Sequence, residues 1–113
     1  MFWDDLDKLV DENKIVIDRK KGSLHPQYRE VIYPLDYGYL ENTTTVDNGG
    51  IDIFVGSAEF DSIQGIICTI DNLKKDAEIK ILYKCTDKEI KAILGFINGK
   101  YMSGILIRYP KNS

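Results

Sequence analysis

From Lys14 to Tyr83 the chain is divided into short apolar runs whose spacing leaves little room for intervening helices. Lys14 to Asp18 reads as a strand, and Arg19 to Gln27 as a loop carrying Lys20, Lys21, Gly22, Ser23 and Pro26. Val31-Ile32-Tyr33 reads as a short strand that Pro34 stops, because proline has no N–H for a ladder. Tyr39 to Thr44 is expected to be extended, and Asp47 to Gly50 to turn. In Ile51 to Val55, alternation puts Ile51, Ile53 and Val55 on one side and Asp52 and Phe54 on the other. Gly65 to Ile70 and Glu78 to Tyr83 form two further strands, joined by a charged link from Asp71 to Asp76.

Helical spacing occurs only at the two ends. Phe2, Leu6, Leu9 and Val10 predict a short amphipathic helix ending near Glu12. Thr86-Asp87-Lys88-Glu89 is a capping box, and Ile90, Ile93, Leu94 and Ile97 follow at helical spacing until Asn98-Gly99. Met102 to Arg108 reads as a closing strand. The expected class is mainly β with flanking helices, as a small five-stranded barrel of the oligonucleotide/oligosaccharide-binding type. At 113 residues, the whole chain (1–113) is one domain, too short for two cores.

A net charge of -3 gives no general attraction for nucleic acid or an anionic membrane. A bound polyanion needs a local basic pocket or metal ions as intermediaries. There is no apolar run of membrane-spanning length and no signal-peptide pattern, so the cytoplasm is the expected location. Cys68 and Cys85 read as buried free thiols, with a disulfide as the alternative. With a single histidine and no paired cysteines, a zinc site is not expected.

Asp47 and Asp52 flank a glycine-rich turn, so both are within reach of one ion at its mouth. Oxygen-only ligation suits magnesium, which takes one or two carboxylates together with phosphate oxygens. The plain alternative is a hairpin turn with Asp52 facing solvent. Tyr33, Tyr37 and Tyr39 flank the turn from Pro34 to Gly38 and can pack, donate to phosphoryl oxygens without adding charge, or stack a base. Arg19-Lys20-Lys21-Gly22-Ser23, and Lys74-Lys75 with Lys80, are either phosphate cradles or solvated loops. His25 reads as a loop contact, and Asp18 and Glu41 as further carboxylates at strand ends.

The stretch Tyr33-Pro34-Leu35-Asp36-Tyr37-Gly38-Tyr39, followed by Asp47 to Asp52, resembles the soluble magnesium-dependent inorganic pyrophosphatases of family I. That family has a Tyr-Pro-x-x-Tyr-Gly-Tyr segment and then an Asp-x-Asp-Pro-x-Asp loop opening a strand. The likeness extends more weakly from about Ile15 to Tyr83. It implies a five-stranded barrel in which magnesium ions bridge diphosphate oxygens while water attacks phosphorus. It also implies Asp47 and Asp52 as catalytic metal ligands, Asp18 and Asp76 as further ligands, and Tyr33 and Tyr37 as phosphate contacts. The family's phosphate-binding arginine has no counterpart here, and Arg29 is named in its place as a phosphate contact outside the matched motif. Gly49 and Gly50 stand where the family has aspartate and proline, and Glu78 where it has lysine. The stretch from Pro26 to Ile32 is too short for the family's extra hairpin, and no Tyr-Lys pair follows in order near the C-terminus. The expected function is hydrolysis of diphosphate to phosphate. The alternatives are a non-catalytic phosphate, nucleotide or metabolite binder and, by base stacking, a single-strand nucleic-acid module. Diphosphate or a small phosphorylated metabolite is the expected partner, with homo-oligomerisation left open.

Overall fold

A computed structural model describes residues 1–46, 48–99 and 102–111. In chain order the elements are α1 (Phe2–Glu12), β1 (Ile15–Arg19), β2 (Asp36–Leu40), β3 (Asp52–Val55), β4 (Ile63–Asp71), β5 (Asp76–Tyr83), α2 (Asp87–Ile97) and β6 (Met102–Arg108). The six strands form one mixed sheet in the order β1-β2-β3-β5-β4-β6. Every pairing is antiparallel except that of β3 with β5. The mainly-β content with two helices is as expected, but there are six strands. Among the described residues no pairing joins β1 to β6, so the sheet stays open where a closed five-stranded barrel was expected. No helix among the described residues is long and apolar enough to cross a membrane.

The pleat explains why one sheet supports two apolar clusters. Neighbouring residues point to opposite faces, so Ile53, Ile66 and Ile81 pack with Leu6 and Val10 of α1. Phe54, Ile67 and Leu82 pack with Ile90, Ile93 and Ile97 of α2. The capping box forms at α2: Thr86 Oγ1 accepts from the Glu89 N–H, and the Glu89 carboxylate accepts from the Thr86 N–H. That carboxylate also accepts from the Ser57 N–H and hydroxyl, tying the connection after β3 to the start of α2. Burial works against its charge, but the Thr86 and Ser57 donors hold it below the usual carboxylate range.

Two expected strands are displaced for local reasons. Val31-Ile32-Tyr33 makes only an isolated bridge, Leu24 to Ile32, because it folds back on its own loop. There the Tyr33 N–H donates to the Ser23 carbonyl and the His25 N–H to that of Val31. Tyr39 to Thr44 does not continue as strand beyond Leu40. Asn42 turns with φ 63°, and the Thr43 hydroxyl takes the Leu40 carbonyl in a 2.7 Å hydrogen bond.

Gly38 lies where β2 meets the bulge in β1. A Cβ there would stand 1.8 Å from the Val16 carbonyl oxygen, a backbone atom that cannot rotate away. The glycine of the Tyr37-Gly38-Tyr39 segment is therefore required by strand approach. Gly38→Ala is expected to destabilise the fold by about 3 kcal/mol through overpacking, read as a lower urea midpoint by circular dichroism.

Candidate functional site

Alternation places one polar row on the α2 face of the sheet, beyond the helix. Along β5 this row is Asp76, Glu78 and Lys80. Parallel register sets Lys80 abreast of Asp52, and antiparallel register sets Asp52 abreast of Tyr39 and Phe54 abreast of Tyr37. These side chains line a cavity of about 850 Å³, which Asp18 of β1, Tyr33 and His25 of the preceding loop, Asp71 and Phe96 also border.

Lys80 forms its floor and is only 6% exposed. Its ammonium donates to Asp52 Oδ2 at 2.8 Å, Tyr37 Oη at 3.0 Å and Glu78 Oε2 at 3.4 Å. Three N–H groups thus meet three acceptors, which is what a buried lysine needs in order to stay charged. Burial pulls its pKa down, but the Tyr37 oxygen and the Asp52 carboxylate more than offset this and hold it above its usual value. Burial pushes the Tyr37 phenol well up; Lys80 works against that shift and Asp52 adds to it. Tyr37 therefore remains a neutral phenol at physiological pH. Burial also raises Glu78, against the pull of Lys80 and with a contribution from Asp52.

Asp18, Tyr33, Tyr37, Asp52 and Asp76 come from β1, a loop, β2, β3 and β5, and all border this one cavity. Arg29 is exposed and is not among the lining residues. Asp47, expected as a ligand and catalytic carboxylate, lies outside the described residues. Asp52 is tied to Lys80. Asp71 turns one oxygen onto its own hairpin, where Oδ1 accepts from the Leu73 and Lys74 N–H groups at 2.9 and 3.0 Å. His25 Nδ1 accepts from the Gln27 and Tyr28 N–H groups, and burial, then Arg19 and Lys74, lower its pKa. A neutral imidazole with that nitrogen engaged is a loop contact, as its position suggested.

The sequence reading grouped Lys80 with Lys74 and Lys75 and missed its central place. A visible signal was a lysine flanked by Ile79 and Ile81 within a strand, where a solvated side chain is out of keeping. Phe54 and Phe96 were missed as cavity walls because each also satisfies an apolar periodicity.

The lining fits a hydrated magnesium ion in donor chemistry. All the acidic donors are hard oxygens, and six carboxylates border the cavity against Lys74 and Lys80. Among the described residues no three His, Cys, Asp or Glu side chains converge as a metal group. Magnesium commonly takes one or two carboxylates and completes its shell with water and phosphate oxygens, so the set present suffices in kind. Comparison with family models, with curated proteins and with solved structures gives no match.

Removing Lys80 leaves Asp52 and Glu78 facing each other without a cation. Both keep about a quarter of their side-chain surface in solvent, so the cost is less than for a dry pair. Lys80→Met is expected to lower stability by about 2–3 kcal/mol in urea titrations at neutral pH.

Alkaline pH tests the same cluster together with the core thiol of Cys85. Lys80 and Tyr37 are raised above their ordinary 10.5 and 10.0, and burial lifts the Cys85 thiol from 9.0 to about 12. Each group holds its proton more tightly when folded, so its stabilisation is complete below the unfolded value and is lost as pH rises through the folded one. The urea midpoint should fall steadily from about pH 9 upward, and less steeply in Lys80→Met. A flat profile in the wild type would contradict this.

Proposed function

We propose that this chain is a minimal magnesium-dependent phosphoanhydride hydrolase, with inorganic diphosphate as its simplest substrate, working in the cytoplasm on a divergent family I pyrophosphatase scaffold. Under this proposal the open sheet is a reduced form of that family's barrel. The observation that carries the reading is the meeting of Asp18, Asp52, Asp76, Tyr33 and Tyr37 at one cavity. The acidic excess of the lining adds to it, since a bare polyanion is repelled there more strongly than the same anion with part of its charge neutralised by magnesium.

One or two of Asp18, Asp52 and Asp76 would hold the ion, with water and phosphate oxygens completing its shell. Once bound, magnesium supplies neutralisation of phosphoryl charge and acidification of water. Tyr33 and Tyr37 donate to phosphoryl oxygens through their hydroxyls. Lys80 meets a phosphoryl oxygen by releasing Glu78, the most distant of its three acceptors at 3.4 Å. A Glu78 carboxylate freed in this way, with its pKa already raised by burial, can receive a proton next to the reacting oxygens.

One feature favours a second reading, binding without turnover. The 2.8 Å pair with Lys80 already occupies the Asp52 oxygen that the ion needs.

Phosphate release and calorimetry separate the two. The hydrolase reading expects magnesium-dependent release from diphosphate, abolished by chelator and reduced at least about tenfold in Asp52→Asn and in Asp76→Asn, a loss of about 1.4 kcal/mol or more in transition-state stabilisation. Heat of binding with no release would establish the second reading. Absence of both signals would remove the phosphate site altogether.

A further inference from the structure

We infer that the ligand of this cavity is an organic diphosphate bearing a flat heterocycle, of the nucleoside diphosphate kind, with its ring on the aromatic wall and its phosphates at Lys80. The inference rests on the proposed phosphoanhydride reading and narrows its substrate class.

A bare diphosphate uses only the polar row. The remaining wall is a continuous run of rings. His25 and Tyr33 lie nearly parallel, 7° apart in plane with centroids at 6.1 Å, and Tyr33 and Tyr37 stack at 5.4 Å and 25°. Phe96 meets Tyr33 at 5.0 Å and Phe54 meets Tyr37 at 4.7 Å. Core packing accounts for Phe54 and Tyr33, which are buried. It accounts less well for His25 and Phe96, which remain half-buried at the cavity margin. Phe96 packs with one side against the core cluster beneath α2, yet stays only half-buried where it borders the cavity.

Size points the same way. At about 850 Å³ the cavity is in the upper part of the roughly 300–1,000 Å³ range of organic-ligand sites. A diphosphate alone would occupy only its polar end and leave the exposed parts of His25 and Phe96 wet. A heterocycle covers them and gains base–aromatic stacking. Hydrolysis of such a ligand consumes one water, breaks the bridging P–O bond and releases a nucleoside monophosphate, inorganic phosphate and a proton.

The test compares calorimetric binding of ADP, isopentenyl diphosphate and inorganic diphosphate, each with magnesium, together with proton NMR of the adenine ring. ADP should bind at least about tenfold tighter than the other two, and its H2 and H8 resonances should move upfield on the protein. Phe96→Leu, which keeps apolar bulk, should remove most of that advantage while leaving inorganic diphosphate within about twofold. If that variant does not fold, His25→Ala at the loop margin serves, with the same split expected. Equal affinity for ADP and inorganic diphosphate overturns the inference and leaves the hydrolase reading standing. Tighter isopentenyl diphosphate overturns the flat ring, and unshifted adenine resonances overturn the stacking. Binding of none of the three overturns both readings.

Discussion

A buried ammonium at the centre of the sheet, and the three oxygens that keep it charged, fix much else in this molecule. Lys80 reaches Asp52 only because β3 and β5 run parallel in the register that sets the two abreast. A slip of one residue would turn Lys80 toward the opposite face, among Leu40, Ile53 and Ile66 beneath α1. An unpaired charge there is costly, so the ion pair and the apolar pattern select the same register. Tyr37 is drawn into the arrangement from the next strand, and its phenol closes the hydrogen bonding that two carboxylates leave incomplete. The polar cluster thus helps to specify the sheet as well as furnish the cavity floor.

The cavity follows from a mismatch of lengths. Strands of eight and nine residues, β5 and β4, run about 26–30 Å, whereas the eleven residues of α2 span about 16 Å. The helix covers the sheet over Phe54, Ile67 and Leu82 and cannot cover the end carrying Asp76, Glu78 and Lys80. The opposite face has the same imbalance: α1 covers Ile53 and Ile81, while Ile70, Ile79 and Ile105 remain exposed. One uncovered end is apolar and the other polar. The difference comes from single residues of opposite parity on the same strands.

Most elements were legible in the sequence because their signals are local. The capping box at Thr86 to Glu89 and the stripe from Ile90 to Ile97 need no tertiary information, and α2 forms from Asp87 to Ile97. The alternation from Ile51 to Val55 correctly separated Asp52 and Phe54 from Ile53. Failures came where pairing partners decide. Tyr39 to Thr44 had strand propensity, but a hydroxyl at Thr43 ended the strand at Leu40. Propensity at Val31 to Tyr33 found only its own loop as partner. Neither closure of the sheet nor the pairing of Lys80 with Asp52 is a local property, since residues 28 positions apart meet through a parallel pairing that propensity does not encode. Of the cavity residues, Asp18, Tyr33 and Tyr37 were singled out by residue type and Asp76 by the weaker extension of the resemblance, and the fold brings them to one place by a topology that neither signal specifies.

In the proposed site, Lys80 and a cation draw on the same carboxylate. An ion arriving alone takes Asp52 from Lys80 and leaves a buried ammonium short of an acceptor, a loss that opposes its binding. An ion arriving on a phosphate carries the replacement with it. A phosphoryl oxygen meets the ammonium as the carboxylate turns to the metal, and charge balance holds throughout the exchange. Glu78 makes this easier, because its 3.4 Å contact is the weakest of the three and its carboxyl tolerates a proton when released. Metal and phosphate affinities at such a site are therefore coupled with positive sign, each ligand raising the other's affinity by the same factor. Lys80 is counter-ion to the protein's own carboxylates in the structure, and under the proposed function would become counter-ion to the ligand's phosphate.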